Sequence, residues 1–216
     1  MTPLKIDFVS DIACPWCAIG LASLETALQR VGSSIPTELH FQPFELNPQM
    51  PPGGQDVTEH LTEKYGSTPD QQAGMRETIR QRGADVGFTF NPKGRSRVWN
   101  TFDAHRLLTW AERDAGQQHA LKKALLAAFH GRGEIMESHE VLARIAGEVG
   151  LDVARAKEIL ASGEFAAETR EREQFYTGAG IHAVPSVIIN DKHLIQGGQP
   201  PEAFEQALRQ IAAQTA

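Results

Sequence analysis

Apolar and polar residues alternate at the start of the chain. Leu4, Ile6 and Phe8 stand against Lys5 and Asp7, the period-two pattern of a strand over Leu4–Val9. From Cys17 the period changes. Ile19, Leu21, Leu24, Ala27, Leu28 and Val31 recur at three and four residues until Gly32 stops the run, which predicts a helix beginning at the cysteines. Leu39–Phe44 reads as a second strand, with Pro43 marking its end or an edge. Strand, helix and strand of these lengths form a βαβ unit, with a parallel strand pair and a right-handed crossover.

Three prolines and two glycines between Asn47 and Gln55 make a loop, and a long helical territory follows. Thr68-Pro-Asp-Gln71 holds an N-cap, a first-turn proline and a Gln three residues on, so a helix should start there. Helical periodicity continues over Val98–Ala115, Gln117–His130, Ser138–Val149, Asp152–Leu160 and, weakly, Glu164–Tyr176, while Gly83–Arg97 reads as irregular. The end of the chain returns to β pattern. Val184–Ile189 and Lys192–Gln196 flank Asn190-Asp191 as a hairpin, and Glu202–Ala213 closes with a helix striped by Ala203, Phe204, Ala207, Leu208 and Ile211. The prediction is an α/β fold of βαβ…ββα order with a large all-helical insert: residues 1–54 and 178–216 form one domain and 55–177 the inserted subdomain.

Composition limits what such a fold does. With 216 residues and 41% hydrophobic residues the chain can bury a core without disulfide staples. The net charge of −6 is spread without single-sign runs, which argues against a nucleic-acid or anionic-membrane partner. Ala124–Phe129, the longest apolar run, is far too short to span a bilayer. The first residues lack the basic and apolar regions of a secretory signal, so a cytoplasmic setting is expected. No signature of an oligomeric state is visible.

In that setting the only two cysteines, Cys14 and Cys17 in Cys-Pro-Trp-Cys, read as a redox pair. A thiol attacks a disulfide as its thiolate, and Cys14 would meet the free N–H groups and dipole of a helix N-terminus, which favour an anion. Cys17, one turn inside, would be less exposed and would attack a mixed disulfide formed on Cys14. Pro15 suits the first helical position, and Trp16 offers substrate an apolar surface or is simply buried. Pro185 leads into the predicted hairpin. A cis Val184–Pro185 bond would leave the Val184 main chain free to pair with an extended substrate and would exclude a metal ligand there. An intermediate redox potential is expected, because Trp16 brings no charge to Cys14.

These motifs, in this order, resemble the thioredoxin-like fold in its DsbA-like form. Asp11–Gly20, Phe44-Glu-Leu-Asn-Pro48, Asn100–Leu107 and Gly150-Leu-Asp152 are similar to the FrnE-type group within it. The resemblance implies thiol-disulfide oxidoreductase activity with Cys14, Cys17 and Pro185 in the usual roles. It also implies substrate contacts at Pro15, Trp16 and Val184, no bound cofactor, and disulfide- or thiol-containing proteins or glutathione as partners. Some members carry a further cysteine pair near the C-terminus, which this chain lacks.

Other residues admit two readings. Asp11 and Glu45 could relay protons to Cys17, but Asp11 reads better as a turn or cap residue. His105 and Arg106 read as structural residues on a helix. Arg95 and Arg97 could attract a glutathione carboxylate, although solvated side chains are the expectation. Half a zinc site would need two histidines at finger-like spacing, and His130 and His139 do not supply them, so no metal is expected. Two rival functions share the pattern. A glutathione-dependent isomerase or transferase of the kappa or 2-hydroxychromene-2-carboxylate isomerase type usually has serine at the helix start, and a holding chaperone would not need the reactive pair.

Overall fold

The computed structural model describes residues 2–215. Its first element, β1 (Leu4–Ser10), is buried at every position except Lys5 and lies inside a four-stranded sheet. Pro15–Val31 forms α1, capped at its end by Gly32 with φ +51°, a conformation that glycine adopts at little cost. β2 (Thr37–Pro43) then pairs parallel with β1, from Leu4 opposite Thr37 to Ser10 opposite Pro43. The strand begins two residues before its apolar core does, because main-chain pairing continues past Leu39 to Thr37. Pro43, with no N–H to give, ends it.

A two-stranded ribbon, β3 (Gln55–Asp56) and β4 (Arg97–Val98), brackets α2 (Val57–Tyr65) and α3 (Pro69–Asp85). Thr68 and Gln71 form the expected capping box at the start of α3. That helix runs through Gly83 to Asp85, where a Cβ would meet the Phe90 ring at 2.5 Å, so the glycine admits the ring against the helix. The ribbon corrects the expected helix over Val98–Ala115: Arg97 donates to the carbonyls of Gly53 and Gly54, which holds 97–98 extended. α4 therefore starts at Phe102 and runs to Trp110, with a π-helical turn at Ala111–Ala115.

α5 (Gln118–Leu126) likewise ends in a π-helical turn, Ala127–Arg132. α6 (His139–Glu148) and α7 (Val153–Ala161) start at the N-caps Ser138 and Asp152, and α8 (Ala166–Gly178) leads back to the sheet. β5 (Ser186–Ile189) pairs antiparallel with β1, and β6 (His193–Gln196) pairs with β5, giving the order β2-β1-β5-β6. Asn190 and Asp191 turn the hairpin with φ +53° and +54°, the left-handed values that a two-residue turn of this twist requires. α9 (Pro201–Thr215) packs on α1.

One continuous apolar cluster joins the sheet residues Leu4, Ile6, Phe8 and Phe41 to α1, α9 and the inner faces of α4 to α7. The cysteine loop sits inside this joint. Residues from the middle of the chain also reach it, through Thr101, His105 and His130.

Candidate active site

Cys14 caps α1 with extended backbone (φ −88°, ψ 113°), and Pro15 takes the first helical position. No side chain caps this end. The N–H groups of Trp16 and Cys17 consequently face the Cys14 sulfur. Both cysteines are free thiols and both are buried, Cys14 at 4% exposure and Cys17 at 0%. The leading thiol is thus less open than its place at a helix end suggested.

Their acidities diverge. The Cys17 thiol hydrogen-bonds the Cys14 sulfur and, with the N–H groups of Cys17 and Trp16, holds Cys14 below the ordinary thiol range. Burial, and the Cys14 charge beside it, push Cys17 well above that range. Cys14 therefore ionises before Cys17.

The Val184–Pro185 peptide is cis, and the Cys14 thiol donates to the Val184 carbonyl at 3.6 Å. Pro185 is held against the helix. A Cβ on Gly20 would lie 3.0 Å from Pro185 Cγ and 3.4 Å from Gly198 Cα, so a glycine on α1 lets the two segments touch. The Pro185 carbonyl accepts from Gly197 N–H at 2.8 Å. Gly198 in turn packs on Trp16, where a Cβ would meet the Trp16 carbonyl at 3.2 Å. Pro15, Trp16 and Val184 are half-buried around the sulfur.

Asp11 is more than a turn residue. Its buried carboxylate accepts from Ala13 N–H (3.1 Å), Leu46 N–H (2.7 Å), Thr101 Oγ1 (2.8 Å) and His105 Nε2 (3.4 Å). Burial raises its affinity for a proton, but His105 and the main-chain donors more than reverse that, leaving Asp11 below the usual carboxylate range. His105 is structural in that sense, yet it touches the cysteine loop. Arg106 is structural also, donating to the carbonyls of Ile159, Ser162 and Glu164. Glu45 pairs with Arg170, and burial with the nearby Glu173 charge raises its proton affinity.

Arg95 and Arg97 are half-buried and held by main-chain carbonyls rather than freely solvated. Arg95 donates to the Ala13 carbonyl, lies 5.3 Å over the Phe129 ring and feels the Cys14 charge, whereas Arg97 belongs to the ribbon. His130 donates to the Ile12 carbonyl at 2.9 Å, and His139 pairs with Asp103 at the surface. Among the described residues no three His, Cys, Asp or Glu side chains converge on a point that could hold a metal ion. No helix among the described residues is long and apolar enough to cross a membrane.

Sequence reasoning passed over Thr101 and Lys122, and weighed His130 only as a zinc ligand. Lys122 shares a buried helical face with Gln118, Leu125 and Phe129. A lysine inside that apolar stripe was the available signal. An open groove of about 520 Å³ is lined by Asp7, His40, Arg172 and Phe175 among others and includes no residue of the cysteine loop or the Val184–Pro185 turn.

The family described as the DSBA-like thioredoxin domain matches residues 5–209. The chain belongs to that family. A probable DsbA oxidoreductase of Streptomyces coelicolor superposes with a TM-score of 0.89 at 31% identity, over 96% of this chain and 89% of that one. The cytosolic disulfide reductase DsbM of Pseudomonas aeruginosa, solved with GSH, has a TM-score of 0.66 at 17% identity, over 97% of this chain and 99% of that one. At that identity the likeness is one of fold. The uncharacterized protein YwbO of Bacillus subtilis is 28% identical over 206 residues, 95% of this chain and 96% of that protein. This chain's sheet draws strands from both ends of the sequence, and its cis proline lies beside the cysteine pair.

Proposed function

We propose that this protein is a thiol-disulfide oxidoreductase of the FrnE-type group. Cys14 attacks a substrate disulfide and Cys17 resolves the mixed disulfide, releasing the second substrate thiol. The opposite acidities of two thiols within one helical turn carry this reading. Val184 supports it, since a substrate chain that displaces the Cys14 thiol finds the Val184 carbonyl already facing the sulfur. Pro185 fixes that edge, and Pro15 and Trp16 form the rim against which substrate lies. Residues 1–54 and 178–216 act as the thioredoxin-like domain, and 55–177 as a helical insert that supports it.

The substrates we propose are protein thiols and disulfides or glutathione, with no bound cofactor. Arg95, the cation beside Cys14, fits the negative charge that glutathione would bring. A cytoplasmic setting suits the cysteine usage, because both cysteines form one reactive pair and none is left for a structural disulfide. Insulin reduction tests the proposal. Cys14→Ser should abolish turnover, and Cys17→Ser should accumulate a mixed disulfide visible by mass spectrometry. Undiminished reduction by Cys14→Ser would overturn it.

A further inference from the structure

The arginines of this chain divide by partner. Arg76, Arg82, Arg95 and Arg97, all within α3 and the segment leading to β4, have no carboxylate partner among the described residues, whereas every other arginine lies in ion-pair contact with one. Acids were available, since the net charge is −6. Cations gathered without them repel one another and oppose folding.

Printed contacts set three of the four around the cysteine pair. Arg95 donates to the Ala13 carbonyl, one residue before Cys14. Arg82 reaches the far side, with its Nη2 3.5 Å from the Gly198 carbonyl, and a Cβ on Gly198 would meet the Trp16 carbonyl at 3.2 Å. Arg76 runs beside Gly94, next to Arg95, where a Cβ would stand 3.6 Å from the Arg76 Cδ. Lys64 adds a further cation, donating at 2.7 Å to the carbonyl of Leu46, whose N–H holds Asp11. Arg97 stands apart, because the Gly53 and Gly54 carbonyls take its fork. Carbonyls are neutral, so these groups keep their charge. Nearby acids are engaged elsewhere: Asp11 with four donors, Glu45 with Arg170, Glu63 with Gln55 and Glu77 with Arg80. One Cys14 thiolate offsets one cation and leaves the rest.

We propose that Arg76, Arg82 and Arg95 select disulfides whose sulfur is flanked by carboxylates, a specificity that rests on the oxidoreductase reading above. A guanidinium fork takes a carboxylate in two parallel hydrogen bonds. A thiolate that attacks an anionic disulfide meets like charge, and cations beside Cys14 offset that repulsion. In the reaction the Cys14 thiolate bonds to one substrate sulfur and the other sulfur leaves as a thiolate. Cys17 then bonds to Cys14 and expels the second substrate sulfur, which departs with the Cys17 proton. The protein dithiol is oxidised and the substrate disulfide is reduced to two thiols.

Three small disulfides of similar length test the assignment: dithiodipropionate is anionic, hydroxyethyl disulfide neutral and cystamine cationic. Reduced protein is mixed with each in a stopped flow, and each rate is divided by that of free dithiothreitol with the same disulfide, which removes intrinsic reactivity. The wild type should favour the anion over the neutral disulfide by about tenfold and disfavour the cation, with the spread closing at about 0.5 M salt. Arg76→Gln with Arg82→Gln should slow the anion about fivefold more than the neutral disulfide, and Arg76→Glu with Arg82→Glu should invert the order. Should the glutamate pair fail to fold, Arg82→Glu alone is held to the same inversion. Equal normalised rates in the wild type would overturn the assignment, as would variants that slow all three disulfides in proportion, the mark of a structural role. Peptide disulfides with Glu or Lys beside the cysteine locate the source of the carboxylates. Preference for the Glu peptide names acidic polypeptides, and confinement of the preference to small disulfides names free acidic thiols, both in keeping with the assignment. If no disulfide of any charge oxidises the protein, the oxidoreductase reading fails, a result distinct from oxidation without charge preference.

Discussion

Cys14 and Cys17 have the same side chain and lie two residues apart, yet only Cys14 meets the N–H groups at the open end of α1. Cys17 is turned into the core, where burial opposes its charge. Arg95 adds a cation beside Cys14 while its own N–H donates to the Ala13 carbonyl. Arg95→Met removes that charge and leaves the apolar stem. The Cys14 thiolate should then appear at higher pH in an ultraviolet absorbance titration, and capture of glutathione disulfide at neutral pH should slow by roughly fivefold. An unmoved titration would show that the helix end alone sets the Cys14 acidity.

At the scale of elements, the site depends on how closely α1 approaches the turn before β5. Gly20 makes that approach possible, because a Cβ there would press on Pro185 at 3.0 Å. Alanine gains about 1 kcal/mol of helix propensity at such a position, while crowding a packed interface costs about 1–3 kcal/mol. Gly20→Ala should therefore lower stability by only about 1 kcal/mol in urea unfolding. Insulin reduction should fall further, roughly tenfold, because the displaced segment carries the Val184 carbonyl that faces Cys14. Equal losses of stability and activity would place the effect in the fold rather than at the site.

Across the whole molecule, the helices between β2 and β5 grip the cysteine loop from behind. His105 and Thr101 hold Asp11, and His130 holds the Ile12 carbonyl. Burial, with the Arg95 charge, lowers His130 to about 3, so between pH 6.5 and 3 the unfolded chain binds a proton that the folded chain refuses. The stability contributed here is complete above pH 6.5 and declines as pH falls. The wild type should lose about 2 kcal/mol more than His130→Gln between pH 7 and 5 in urea unfolding, and parallel losses would remove His130 as the cause. Periodicity along the chain was enough to determine β1, α1, the closing hairpin and α9, because each buries one face at a fixed spacing and is punctuated by Gly, Pro or a cap. The cysteine pair was equally legible, since its chemistry is local to one turn. The start of α4 was not, because a ribbon pairing across some forty residues overrides the helical pattern at Val98. Nor were the places of Arg95, His130 and Lys122: long-range packing alone decided that the first two would hold the Ala13 and Ile12 carbonyls and that Lys122 would be buried, since burial and charge act through space and leave no period in the sequence.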